Sequence, residues 1–199
     1  MDFTYTETQD MIRDTLARFL GDTYDFETRQ KFIASDEGRD PAIWTALAQE
    51  LGMLGASFSE EHGGLGGGAL ENAIIMEELG KVLGIEPYLP TVVIAGGALK
   101  AVGGAQADKF IPEIIAGNAI IAFAYAEPQG RYDLANLRTT AKKDGAGYML
   151  NGHKSVVYAA PWATHLLVTA RTGGNPRDRD GVSLFLIDAN LPGIVRRDY

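Results

Sequence analysis

The 199-residue chain is 46% hydrophobic, carries a formal net charge of -8 and contains no cysteine. An acidic total argues against nucleic acid and anionic membranes as partners, although local arginines or backbone amides can still hold an anionic ligand. Disulfides, thiolate metal sites and a cysteine nucleophile are excluded; with no basic n-region and no run near the ~18 apolar residues of a membrane span, a soluble, cytoplasmic protein is the default.

Residues 1–118 read as short helices. Thr6 and Gln9 have the spacing of a capping box, and Met11, Ile12, Leu16, Phe19 and Leu20 form one apolar stripe that stops at Gly21. A second helix is expected over Asp25 to Ile33. Asp40 and Pro41 make an N-cap and N1 pair for a third, through Trp44, Leu47 and Leu51. Residues 52–68 are glycine-rich and loop-like. A long helix over Ala69 to Leu83 should turn Leu70, Ile74, Ile75, Leu79 and Val82 inward. Helices over Thr91 to Val102 and Gln106 to Ile115 complete a bundle-like lobe.

From Ala119 the period becomes that of strands. Ile120 to Tyr125 is an apolar β run. Thr139 to Lys143 and Tyr148 to Leu150 flank Asp144-Gly145-Ala146-Gly147, a hairpin signal. Leu166 to Ala170 and Val182 to Ile187 are further strands, and the charged stretch from Arg171 to Gly181 reads as a solvated linker. Gly193 to Tyr199 looks like the start of another strand. The expected fold class is α+β: an all-α bundle (1–118), then an incomplete antiparallel β domain of barrel or sandwich type (119–199). A sheet left open there exposes unpaired edges, so a polypeptide that continues past Tyr199 is expected.

The glycine run Gly63 to Gly68 with Ala69 contains a G-x-G-x-x-A match, but helices lie on both sides of it, where a dinucleotide fold requires a strand before it. It is either a loop whose backbone passes close to something, or one lining a ligand pocket. Glu77 and Glu78 are adjacent on a helix and diverge by about 100°, so a solvated face is expected there and not an acid/base pair. His62, His153 and His165 are read as unrelated structural or surface residues. No Ser-His-Asp set, nucleophile elbow or metal cluster stands out.

Two segments remain, Tyr125 to Asp133 and Gly152 to Tyr158. With them in view the chain resembles the first half of an acyl-CoA dehydrogenase. That family's flavin-side pattern is similar to T-E-P-x-x-G-S-D, followed after a hairpin by N-G-x-K-x-W-I-T/S. Glu127, Pro128 and Asp133 match the first motif; Asn151, Gly152 and Lys154 match the second. Leu51 to Gly55 and Glu60 to Gly68 resemble the family's helix-to-loop segment. Tyr24 to Glu27, Glu86 to Leu89 and Arg131 to Leu134 resemble the small-subunit type of pimeloyl-CoA dehydrogenase and similar heteromeric members.

The resemblance implies FAD held by Tyr125, Ala126, Glu127, Val156, Val157 and Tyr158, and an acyl-CoA substrate met by Arg131, Tyr132 and Asp133. It implies oxidation of the thioester to a trans-2-enoyl-CoA, with electrons leaving to an electron-transferring flavoprotein. It also implies an oligomer with like or unlike subunits. The catalytic base belongs to a C-terminal helical domain beyond Tyr199, so no catalytic residue is assigned in this chain and the fragment alone is expected to be inactive. Four positions depart from the pattern. Ala126 lacks the threonine hydroxyl, Val156 and Tyr158 replace Trp and Thr/Ser, and Tyr132 replaces Ser. Loss of the aromatic contact is worth about 0.5–1.5 kcal/mol. The alternatives are a non-catalytic partner subunit and an acyl-CoA-binding module.

Overall fold

The computed structural model describes residues 4–198. The chain divides into two compact units, Met1–Ala119 and Ile120–Tyr199. The described residues of the first contain the α-helices α1 (Glu7–Thr23), α2 (Phe26–Ala34), α3 (Pro41–Thr45), α4 (Ala69–Lys81), α5 (Gly97–Val102) and α6 (Gly104–Ile115). None is long and apolar enough to cross a membrane.

Local chemistry sets the helix starts. The Thr6 hydroxyl accepts from the Gln9 amide at 3.3 Å, and the Gln9 side chain accepts from the Thr6 amide at 3.0 Å. Asp25 and Asp40 cap α2 and α3 in the same manner. Ile12, Leu16 and Leu20 are buried and α1 packs along α4, whose Ile74, Ile75 and Leu79 are also buried. Met11 and Leu70 are exposed, against expectation. Helical side chains lean toward the N-terminus, so Leu70 in the first turn of α4 projects past the end of its helix. Two π-helical stretches were not foreseen: Ala46–Glu50 continues α3, and Leu89–Gly96 leads into α5.

The glycine segment is explained by its own packing. The Gly64 amide donates to Ser59 O, Gly66 to Phe58 O and Gly67 to Ala56 O. A Cβ on Gly64 would stand 2.5 Å from the Phe58 carbonyl carbon. The α4 N-terminus, where a phosphate would sit in a dinucleotide fold, is filled by the chain's own Glu71. That carboxylate accepts from the Gly68 amide at 2.6 Å and from Gln9 Nε2 at 2.8 Å. These bonds, Gln9 foremost, hold it below the usual carboxylate range.

The second unit is a five-stranded sheet of β1 (Ile121–Ala124), β2 (Thr140–Asp144), β3 (Gly147–Asn151), β4 (His165–Arg171) and β5 (Val182–Asp188). β4 pairs with β5 antiparallel along its whole length, from His165↔Asp188 to Arg171↔Val182. On its other side it runs parallel to β1 and meets β2 in parallel at Thr140↔Arg171. β2 and β3 form the expected hairpin. The sheet is therefore mixed and open, not antiparallel throughout. The hairpin and residues 152–164 carry the chain back to the end where β1 began, so β4 must run the same way as β1.

Ala122, Ala124, Leu166, Val168 and Ala189 form the core of this unit. The Tyr148 ring meets Phe185 edge-on at 5.2 Å between centroids. The expected strand after Gly193 is absent among the described residues; Tyr199 lies outside them. Side chains anchor this stretch instead, Ile194 against the core and Arg196 Nη1 on Ala160 O at 3.0 Å. Gly64→Ala is expected to destabilise the helical unit by about 1–3 kcal/mol, read as a lower urea midpoint, because backbone must move to admit a methyl group.

Candidate functional site

β1 ends at Ala124, and Pro128 bars the strand from continuing. Between them the Glu127 side chain turns inward until only 1% of it is exposed. Its carboxylate accepts from Lys154 Nζ at 2.8 Å, the Arg138 amide at 2.7 Å, the Thr139 amide at 3.0 Å and Gln129 Nε2 at 2.6 Å. Lys154 Nζ also donates to Thr169 Oγ1 on β4 at 3.0 Å. One buried ion pair thus ties the end of β1, the segment entering β2, the segment leaving β3, and β4. Burial works against ionisation of Glu127, but the bonds from Lys154, Thr139, Arg138 and Gln129 outweigh it and hold the carboxyl at about 2. For Lys154 burial is the larger effect and lowers its pKa, with Glu127 opposing.

The Asn-Gly-x-Lys spacing follows from this pair. A Cβ on Gly152 would lie 2.6 Å from Thr139 Cα. Only a glycine lets the chain cross there and deliver Lys154 two residues later. The next amide, Ser155, donates to Ala126 O at 2.9 Å, which sets Val156 to Tyr158 beside Tyr125 to Glu127. The expected cofactor residues are therefore brought together within one unit. Val157 turns into the core, while Val156 and Tyr158 are 69% and 61% exposed.

Arg131, Tyr132 and Asp133 sit at the tip of a turn anchored to the same pair, since the Gly130 amide donates to Glu127 O and the Asp133 amide to Gly130 O. Tyr132 is 100% exposed. The Asp133 carboxylate accepts from the Ala135 amide at 3.1 Å and so shapes its own loop. Among the described non-glycine residues, φ is positive at Leu83, Arg131, Val156 and Ala159. Arg131 and Val156 lie in the two candidate segments and Ala159 directly follows the second, and a β-branched valine at φ 52 is a costly conformation.

These residues fit a flat, uncharged ring with hydrogen-bonding edges. The only charge among the six is Glu127, which is consumed inside. The outward groups beside Ala126 are apolar.

Sequence reasoning missed three arrangements. The first is Arg171, read as the start of a solvated linker. It is buried, and its guanidinium donates to carbonyls of Leu137, Gly173, Asp180, Ala135, Pro176 and Asp178 at 2.8–3.4 Å, fixing residues 173–181. An arginine opening a turn-rich stretch was its only signal. The second is a row of Ser59 Oγ, His62 and Asp108, with contacts of 2.8 and 3.2 Å. The Asp108 side chain is 70% exposed, so it cannot serve as the buried orienting acid of a hydrolytic triad; the row ties the glycine segment to α6. The third is Glu78, which is buried and paired with Lys81 at 2.6 Å, so the solvated-face reading holds only for Glu77.

Comparison with known proteins agrees with this architecture. Residues 6–118 match the acyl-CoA dehydrogenase N-terminal domain and residues 122–199 match the acyl-CoA dehydrogenase middle domain. Isovaleryl-CoA dehydrogenase of Pongo abelii is 30% identical over 94% of this chain and 45% of its own length. Acyl-CoA dehydrogenase FadE29 of Mycobacterium tuberculosis is 38% identical over 71% of this chain and 37% of its own. The ChsE4-ChsE5 complex from Mycobacterium tuberculosis superposes with a TM-score of 0.83 at 28% identity, covering 98% of this chain and 50% of that one. The FAD complex of PigA gives 0.82 at 30% identity, covering 97% and 51%. The two solved structures share this chain's fold over nearly its whole length. The chain belongs to the acyl-CoA dehydrogenase family and spans about half the length of the relatives it matches.

Three predictions follow from the geometry. Lys154→Met should destabilise the sheet unit by about 3–5 kcal/mol, because it strands a buried carboxylate. Glu127 has its folded pKa below its usual 4.5, so its contribution is present above about pH 4.5 and lost as pH falls toward about 2. Glu127→Gln should flatten the stability profile in that window, measured by denaturation at stepped pH. Val156→Asn should raise the thermal midpoint, with a gain of about 1 kcal/mol, because asparagine tolerates the left-handed region.

Proposed function

We propose that the intact protein oxidises an acyl-CoA thioester to a trans-2-enoyl-CoA with FAD, as part of a longer or heteromeric enzyme. The observation that carries this is the meeting of the Tyr125 to Glu127 and Val156 to Tyr158 segments over the Glu127–Lys154 pair, with an outward apolar shelf beside Ala126. The backbone of Tyr125, Ala126 and Glu127 and the faces of Val156 and Tyr158 would hold the flavin, with Val157 packing the shelf to the core. FAD supplies acceptance of the hydride equivalent. Arg131, Tyr132 and Asp133 meet the CoA thioester on the anchored tip. The catalytic base lies outside this chain.

In this reading residues 1–118 and 119–199 are the N-terminal and middle domains of a cytoplasmic enzyme. It delivers electrons to an electron-transferring flavoprotein and assembles with a second acyl-CoA dehydrogenase subunit, in the manner of the small-subunit type of pimeloyl-CoA dehydrogenase. The ChsE4-ChsE5 likeness supports the assembly, since that structure is of a complex. Left-handed Arg131, Val156 and Ala159 support the site, because strain of this kind is retained where it positions a ligand. A second reading, a subunit that supports a flavin-bearing partner, draws on the missing hydroxyl at Ala126 and the missing indole at Val156.

The intact protein purified alone is expected to show flavin absorbance, and to reduce an artificial acceptor when given an acyl-CoA with its partner subunit present. A colourless preparation that stays inactive with its partner and added FAD would reject the flavin-bearing reading and leave the supporting-subunit one.

A further inference from the structure

Two segments that resemble the small-subunit type, Tyr24 to Glu27 and Glu86 to Leu89, meet inside the helical unit. Tyr24 is buried at the C-terminal end of α1, and its hydroxyl accepts from the Ile85 amide at 3.0 Å. Glu86 comes next and is only 7% exposed, yet neither oxygen of its carboxyl has a hydrogen-bond partner among the described residues. A buried carboxylate is tolerated when its lone pairs are filled. Those of Glu127 are filled, and those of Glu86 are not.

Charged and titratable groups reach this carboxyl from each element around it. Burial pushes its pKa up, against the Glu86 amide, the nearby Tyr24 hydroxyl, the Ile85 amide and Arg39. Arg39 is lowered by its own burial and is drawn toward Glu37 and Asp40 as well as Glu86. From α2, Arg29 acts on the Tyr24 phenol. On α4, Lys81 is occupied by Glu77 and Glu78 at 3.3 and 2.6 Å.

α2 borders this cluster with few contacts of its own. None of its nine residues is buried. It is held by the Phe32 ring, edge-on to Tyr24 at 5.6 Å between centroids, and by Arg29 Nε, which donates to Leu83 O at 2.7 Å. Leu83 has φ 54 and is 57% exposed, so a costly left-handed turn is kept without packing of its side chain. An element with so little buried surface opens more readily than the rest of a fold.

We propose that α2 is a pH-sensitive strap. It stays docked against residues 83–86 while the Glu86 carboxyl is protonated, and it swings away to admit water once that proton is lost. A carboxyl whose folded pKa lies above its ordinary 4.5 stabilises the docked form fully below about pH 4.5, and this contribution disappears as pH rises through the folded value. Glu127 acts in the opposite sense, in the other unit and below about pH 4.5, so a range above that isolates Glu86.

Hydrogen exchange of the intact protein, corrected for intrinsic amide rates, is expected to show α2 open about threefold or more often at about pH 8 than at about pH 5, while α4 and α6 change little. Glu86→Gln cannot ionise and should hold α2 at one level of protection across that range. A wild-type α2 whose protection does not change with pH, or a Gln variant that keeps the wild-type pH dependence, overturns the proposal. Should the variant fail to fold, the Glu86 carboxyl carbon followed by NMR in the wild-type protein decides the matter. Titration above the ordinary glutamate range supports the strap, and titration at or below 4.5 overturns it. Neither measurement needs flavin, acyl-CoA or turnover, so the result stands or falls apart from the dehydrogenase reading.

Discussion

The sheet unit depends on one buried ion pair. Removing a carboxylate and an ammonium from water costs more than their attraction returns unless their remaining hydrogen-bonding capacity is filled. Here Glu127 is filled by two backbone amides, one side-chain amide and Lys154, and Lys154 by Glu127 and Thr169. The backbone amides come from the start of the β2 segment, the ammonium from beyond β3, and the hydroxyl from β4. The two ends of the β2–β3 hairpin are thereby held in one register with β1 and β4, which lie outside it. The exposed residues proposed to meet a cofactor and substrate follow directly from it, on either side of Glu127 and Lys154.

That dependence separates two kinds of position within the motif frame. Glu127, Gly152 and Lys154 are fixed by packing: a neutral residue strands the partner charge, and any Cβ at Gly152 meets the Thr139 backbone. Ala126, Val156, Tyr158 and Tyr132 face outward or carry small groups, and no internal contact constrains their chemistry. The family's frame is therefore retained while its contact side chains differ. Val156 is the exception that informs, since its exposed side chain gains nothing from a left-handed backbone; the conformation is imposed by the chain path between Ser155, bonded to Ala126, and Val157 in the core.

What could be read from the sequence divides along the same physical line. Thr6 with Gln9, Asp40 with Pro41, and Asp144-Gly145 are signals whose partners lie within a few residues, and each formed as expected. The parallel pairing of β1 with β4 joins residues over forty positions apart, and strand alternation carries no information about direction. Glu78 and Arg171 were misplaced for a related reason. A charged residue reads as solvated until its partner is known, and their partners are a neighbouring lysine that folds back and six carbonyls gathered by a loop. The π-helical stretches at Ala46–Glu50 and Leu89–Gly96 keep the apolar pattern of an α-helix and differ only in which carbonyl each amide selects.

Glu127 and Arg171 show two solutions to burying charge in one small unit, with different consequences. Glu127 is neutralised by an opposite charge, so its field ends within the core. Arg171 is satisfied in hydrogen bonds but not in charge, because carbonyl dipoles fill its donors without cancelling the unit positive charge. Its positive charge therefore stands beside those of the exposed Arg138 and Lys142. A stabilising device for residues 173–181 is thus also a source of positive potential at the surface.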